Sequence, residues 1–452
     1  MTIFLYYTLI TLSAFFLLFA LRRPEGIYQF PALFSGAFLF SIVPQLWNHV
    51  YHPGRLPQIV YESHGVEYGI LMCILCLVAG NLGYGTPIRR LPRWHLRLPQ
   101  ISDRHLIPTG LLLAVIGLYG ALSLDRMAGG MGARFTGGGH YDLSWTGMTV
   151  VYSYISAGIV LGFLLCLNAA LSKASLTRWT IVAATAVYPV LSIIFLGRRT
   201  MVFRMALFVA GTLWFRKRWA PPRIAVVAAM VLGGIAIITL DAYRSYAVRT
   251  GDLRGAFAQV DFREELLSYA EGGHQEGMDN LIIGIPARMH AGSFTLGSSI
   301  WNSLVNSLVP AVFVGRSLKS AMVFRVGKNN SDIFHQFAGV DPAFGAFSTG
   351  PYAVFAEWHF LGCLFYFLLA RFFRRLWVGS MQPHAMTLQI LYIASLLFVP
   401  LFVVDSHSAT FSRTVFVWLL LIVGVFVSTK VLGVRHNRAR AIVYRSAATL
   451  PN

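Results

Sequence analysis

Apolar runs long enough to cross a bilayer recur along most of this chain and stop for one polar interval, Asp241 to Gly345. A crossing helix needs about 20 predominantly apolar residues. Eleven runs of roughly this kind can be drawn, at 3–20, 30–47, 66–84, 105–124, 148–171, 179–196, 200–215, 222–240, 348–370, 386–404 and 411–429. Apolarity is continuous within each run, which predicts helices; the strands of a membrane barrel would alternate. The pattern predicts an all-α polytopic integral membrane protein with about 11 transmembrane helices and one long, partly helical loop. Its parts are an eight-span bundle over 1–240, the loop over 241–347, a three-span part over 348–429 and a basic tail over 430–452.

Composition sharpens this picture. Of 452 residues, 56% are hydrophobic and only 12% are charged, about half the charge of an ordinary soluble domain. The net charge of +19 would suit a nucleic-acid binder, but its distribution removes that reading. Alternate loops hold 21 of the 37 Lys and Arg residues, opposed only by Glu25 and Asp103, and so account for the whole excess. The remaining segments balance 16 basic against 16 acidic residues. This is the positive-inside asymmetry. It predicts an outer N-terminus, a cytoplasmic C-terminal tail and an outer location for the long loop. Met1 to Ala20 lacks a basic leading segment and a small-residue cleavage site, so it reads as a retained first span.

The loop is near neutral, with 9 basic and 10 acidic residues. Gly255 to Ala270 has a helical pattern. Ser298 to Val314 is apolar but short and interrupted by Asn302, Asn306 and Pro310, which fits a re-entrant or surface-lying helix. The glycines between Gly129 and Gly139 lack the strand and Gly-Lys-Ser of a phosphate loop and read as a flexible connection. Cys73 and Cys76 share a helix face without a nearby His or carboxylate, so packing is the better reading than a metal site. No internal repeat is visible.

Candidate chemistry gathers where spans meet the outer surface. Gly197-Arg198-Arg199-Thr200 joins two spans, so two arginines sit at the start of a helix. Free N–H groups and the positive end of the dipole favour an anion there. Arg204 lies one turn deeper, where charge is costly and usually functional. The competing reading is that these arginines reach lipid headgroups. Arg244 and Arg249 follow span eight, where Asp241 could simply pair with Arg244. Arg288, and Arg316 with Lys319 after the semi-apolar helix, complete the basic set. Two arginine clusters beside a surface helix suit a diphosphate with a long apolar tail. Candidate acids and bases are Asp332, His335 and Asp341 near the end of the loop, and Glu357 and His359 in the ninth span; a Glu357–Arg pair that serves structure alone is the alternative for that carboxylate. Arg55 and Arg413 lie outside these clusters. No zinc pattern, DxD pair or nucleophile elbow is present, so the chemistry is expected to need no metal or other cofactor.

Three stretches resemble the Wzy-type oligosaccharide repeat-unit polymerases: Gly197-Arg198-Arg199 opening a span, Pro310 to Arg316 after a semi-apolar helix, and Ser348 to Gly362 leading back into the membrane. Ser317 stands where the family pattern has Pro, and Glu357 lies closer to Gly362 than the family's acidic residue. The resemblance implies a GT-C-like, metal-independent glycosyltransferase of a bacterial inner membrane. It would join undecaprenyl-diphosphate-linked oligosaccharide repeat units into a surface polysaccharide at the periplasmic face. Arg198, Arg199, Arg316 and Glu357 would be catalytic, and Arg204, Arg244, Arg249, Arg288, Lys319, His335 and His359 would bind substrate. It also implies membrane lipid and a polysaccharide chain-length regulator as partners. An O-antigen ligase would use the same chemistry with another acceptor. A flippase or other transporter, and a scaffold of an envelope assembly machine, are the readings from other classes.

Overall fold

The computed structural model describes residues 1–54, 56–87, 101–127, 148–196, 199–222, 276–341, 348–382 and 385–432, with single positions at 129, 225, 228 and 261. Every regular element among them is helical. The chain opens with α1 (Thr2–Leu21), a short turn over Pro24–Tyr28, and α2 (Phe30–Tyr51). Pro44 cannot donate to the helical ladder, and α2 widens into a π turn at Phe38–Ile42 immediately before it. Next come α3 (Gln58–Glu62), α4 (Gly65–Gly85), α5 (Asp103–Met127), α6 (Met148–Ser172), α7 (Leu176–Leu196) and α8 (Arg199–Lys217). The loop interval contributes α9 (Glu276–Ala291), α10 (Ser298–Leu308), α11 (Ala311–Val314), α12 (Arg316–Ala321) and α13 (Asn330–Ala338). The chain continues with α14 (Gly350–Trp358), α15 (Cys363–Ser380), α16 (Met386–Val404) and α17 (His407–Val427).

Nine segments of the described residues are long and apolar enough to cross a membrane. They overlie nine of the eleven runs expected from the sequence. Of the other two, 200–215 is the helix α8, whose Arg199, Arg204, Arg216 and Lys217 make it less apolar than its neighbours. The second, 222–240, lies outside the described residues, as does almost all of the tail over 430–452.

Backbones approach closely at several points along α5 and α6. A methyl group on Gly117 would sit 2.2 Å from the Ile159 nitrogen, and one on Gly162 would sit 2.4 Å from the Gly110 carbonyl oxygen. Between membrane helices, where lipid is as apolar as leucine, such small-residue contacts supply the packing attraction. An aromatic core joins the remaining helices. Phe30 stacks on Phe34 at 4.7 Å and meets Phe373 at 5.4 Å, while the Tyr392 hydroxyl donates to the Tyr28 carbonyl at 2.6 Å.

The segment Gly350–Ser380 is a hairpin, not one straight span. A methyl group on Gly350 would meet the Tyr366 hydroxyl at 2.2 Å, and one on Gly362 would meet the Val354 carbonyl at 2.2 Å. In a continuous helix the first pair would stand about 24 Å apart. The reversal is made at His359, a non-glycine residue with φ 57° and ψ −149°, followed by a tight turn to Gly362. Helix α14 therefore starts inside the bundle, capped by the buried Thr349, and rises to the hinge before α15 descends.

The loop interval is more than a surface. From Leu281 to Arg288 every residue of α9 is buried, because α9 lies against α4 and α14. Gly65 and Gly69 of α4 allow it to approach Ile282 and Leu281. The loop-bearing end of the bundle also holds the His49 Nε2–Asp279 Oδ1 contact at 3.0 Å. The opposite end holds basic residues as well. There Arg216 reaches Asp103 at 3.5 Å and Asn168 at 3.2 Å, and Arg374 lies over the Tyr84 ring.

Candidate functional site

Glu357 lies at the top of α14, two residues before the hinge at His359, and is fully buried. Its Oε2 accepts the Gly297 N–H at the start of α10, and the backbone carbonyls of Ala356 and Glu357 accept the N–H groups of Thr295 and Leu296 at 3.0 and 3.1 Å. The orphan carbonyls of one helix end are thus satisfied by the strand-like lead into another helix, whose first turn receives a carboxylate. The remaining oxygen, Oε1, lies 3.9 Å from Nε2 of the buried His407, too far for a direct hydrogen bond. Neither Glu357 Oε1 nor either His407 ring nitrogen has a hydrogen-bond partner among the described residues.

His407 opens α17 immediately after the two-residue connection Asp405-Ser406. Asp405 is buried and pairs with Arg413 Nη1 at 2.9 Å. Burial pushes the Asp405 carboxyl up from its ordinary pKa, against the pull of Arg413. Arg413 therefore belongs to the loop-end polar cluster, although the sequence sets it outside the basic groups. The signal for this cluster is the polar triplet Asp405-Ser406-His407 between two apolar runs, a pattern that marks a buried helical hairpin end.

A second buried group centres on Arg288, which is 3% exposed. Its Nη1 donates to the Ser293 carbonyl at 2.7 Å and its Nη2 to Asn330 Oδ1 at 2.6 Å. The Tyr352 hydroxyl donates to the same Asn330 oxygen at 3.0 Å. Arg288 thereby ties α9, α13 and α14 together, and no carboxylate pairs with it among the described residues. Asn330 and Tyr352 carry no sequence signal that would single them out.

Arg204 is half-buried and borders a shallow crevice with room for only about 10 Å³, the space of a single water. The crevice is walled by Val160 and Leu161 of α6, Phe208 of α8, Leu397 and Phe398 of α16 and Val417 of α17. Arg204 is the one polar side chain in its lining. Arg413 lies one helical turn before Val417 on the same face of α17.

The other sequence candidates are dispersed. Helix α8 begins at Arg199, whose side chain is not described; Arg198, Arg244 and Arg249 lie outside the described residues. Arg316 is exposed on the first turn of α12, and no polar contact joins it to Glu357 among the described residues. Lys319 donates to the Asn306 carbonyl at 3.1 Å, and its burial draws its pKa below the ordinary lysine value. His335 is exposed on α13. His359 is half-buried among Phe294, Phe355 and Phe360, with ring separations of 5.3, 4.9 and 4.7 Å. Among the described residues no three His, Cys, Asp or Glu side chains are grouped to hold a metal ion.

Comparisons with protein-family models, with curated proteins and with solved structures return no match. The fold defines the protein as an all-helical, multi-pass membrane protein. The buried groups around Glu357, Asp405, His407 and Arg288 lie at the end of the bundle that carries the long loop, and Arg204 is half-buried between helices.

Proposed function

We propose that the protein is a polymerase that joins polyprenyl-diphosphate-linked oligosaccharide repeat units into a surface polysaccharide. The observation that carries this reading is the placement of Arg204, half-buried beside the apolar faces of α6, α16 and α17. A guanidinium held among apolar helix faces suits a ligand with an anionic head and a long apolar tail. The Arg198-Arg199 pair precedes Arg204 in the sequence, where the free N–H groups at the start of α8 add to the attraction for a diphosphate. In the reaction, the bond between the sugar's anomeric carbon and the diphosphate oxygen breaks. A bond to the acceptor sugar's hydroxyl oxygen forms, and the hydroxyl proton passes to a base. Guanidinium groups stabilise the charge that develops on the departing diphosphate. The proton acceptor in this reading is Glu357, whose Oε1 makes no hydrogen bond among the described residues.

The same reading sets the loop-bearing end at the periplasmic face of a bacterial inner membrane, with the N-terminus outside and the basic end in the cytoplasm. A lipid-linked oligosaccharide flippase is the second reading, favoured by the broken α14–α15 hairpin, because transporters build their sites on interrupted helices. Proteoliposomes loaded with lipid-linked repeat units separate the two. A ladder of lengthened glycans is expected from the polymerase. Movement of unlengthened units across the bilayer, with no ladder, would replace that reading with the flippase.

A further inference from the structure

Helix α10 turns a row of hydroxyls, together with the buried Val305, toward its neighbours. Thr295, Ser299, Ser303 and Ser307 repeat every four residues and so share one face. That hydroxyl face is turned inward. Ser303 and Ser307 bond to Ser412 of α17 at 3.0 and 3.3 Å, Tyr154 of α6 bonds to Ser307 at 2.8 Å, and Ser299 donates to Thr295 at 3.2 Å. Trp301 is left on the outside, 43% exposed. A helix surrounded by water would bury the tryptophan and hydrate the serines. The arrangement here is the one expected where the outside is lipid.

The segment after α10 extends this outward surface as one rigid unit. Asn302 clamps Phe324 reciprocally, its amide nitrogen donating to the Phe324 carbonyl at 2.7 Å and its oxygen accepting the Phe324 N–H at 2.9 Å. The Trp301 indole N–H donates to the Met322 carbonyl at 2.7 Å. Leu318 and Phe324 are then 54% and 55% exposed, too apolar and too firmly held for a hydrated loop tip. Arg316, Arg325 and Lys328 are exposed beside them. From Ser293 to Ser331 the sequence has four basic residues and no acidic one. The apolar surface also continues to the bundle: Leu296, next to the α14–α15 hinge, is exposed, as are Leu361 in the turn and Leu364 and Leu368 of α15.

We propose that residues 298–328 form a platform seated in the membrane interface on an anionic phospholipid surface. Trp301, Leu318 and Phe324 occupy the headgroup–acyl boundary, and Arg316, Arg325 and Lys328 contact lipid phosphates. The platform is independent of the glycosyl-transfer reading, since it concerns the bilayer and not the substrate.

Spin labels test it. Leu318→Cys and Phe324→Cys are labelled in a Cys363→Ser background; the other native cysteines, Cys73, Cys76 and Cys166, are buried. Exposed Asp332→Cys on α13 serves as the water reference and Leu364→Cys as the acyl-chain reference. Collision rates with oxygen and with a water-soluble nickel chelate are measured in phosphatidylcholine bilayers with and without phosphatidylglycerol. Both platform labels are expected to lie nearer the Leu364 reference. Phosphatidylglycerol should lower their nickel accessibility by roughly twofold or more, and the Arg316→Gln/Arg325→Gln/Lys328→Gln variant should lose that effect. Labels that match Asp332 in both bilayers would show a platform facing water or another protein, and would overturn the proposal. So would an unchanged response in the triple variant.

Discussion

The carboxylate of Glu357 accepts the backbone N–H of Gly297, binding the hinge of the α14–α15 hairpin to the first turn of α10. Together with the Thr295 and Leu296 N–H bonds to the Ala356 and Glu357 carbonyls, this contact holds α10 against the half-helix α14 that starts inside the bundle. The reverse turn at His359, a left-handed residue, persists because its neighbours on both sides are fixed in this way.

Glu357→Ala leaves a buried N–H without its acceptor and should lower stability by about 1–3 kcal/mol. Glu357→Gln keeps an acceptor oxygen and should cost less than half of that. Thermal unfolding followed by a thiol-reactive dye on the buried cysteines measures both. A Gln variant as stable as wild type but inactive in transfer would support proton acceptance. A Gln variant with full activity would leave Glu357 with the latch alone.

Arg204→Ala should slow transfer by roughly 10- to 100-fold, since a hydrogen bond to a charged group contributes about 1.5–3 kcal/mol. Lysine should rescue only in part, because it keeps the charge but loses the planar fork. Arg198→Ala and Arg199→Ala are expected to follow Arg204→Ala. Arg316→Ala separates two roles. Slowed transfer in detergent would place it at the diphosphate, whereas a loss confined to anionic bilayers would place it on the platform.

Turnover should persist in excess EDTA, because the guanidinium groups carry the charge stabilisation in the proposed reaction. The chelator is added to purified protein with lipid-linked repeat units, and product length is read on a gel. Activity that disappears and returns with Mg²⁺ or Mn²⁺ would remove the arginine-based account.

Gly117→Leu should disrupt the α5–α6 contact, since even a methyl group there meets the Ile159 nitrogen at 2.2 Å. Overpacking costs about 1–3 kcal/mol where neighbours can shift, and backbone shifts less readily than a side chain. The variant should melt well below wild type. Gly85→Ala, with nothing within 4 Å, is the matched control. Equal melting temperatures would mean that the two helices separate more easily than their packing implies.

Cysteines introduced at Lys173 and Asp332 should label from opposite sides of the membrane with an impermeant reagent. Asp332→Cys is expected to react in intact spheroplasts and Lys173→Cys only after lysis. Labelling of both from one side would break the alternation of spans between them.

The apolar runs by themselves determined the class of protein, because a bilayer demands length and continuity that a linear pattern displays directly. Eight of those runs recur as spanning helices with nearly the expected bounds. The span-level charge asymmetry was equally legible, since it depends on loop order and not on packing. Only the tertiary structure decided that Gly350–Ser380 folds back on itself. Its hydropathy is that of a single span, and the reversal rests on glycines that admit Tyr366 and Val354. Arg413 was similarly opaque: its partner Asp405 stands eight residues away, and the two meet because the hairpin end is buried. The serines of α10 read as interruptions of an apolar helix, and only their bonds to Ser412 and Tyr154 revealed them as its inner face. Sequence records what each side chain prefers to touch. Which surface is available to touch is settled when the helices meet, and the inward serines and outward Trp301 of α10 follow from that.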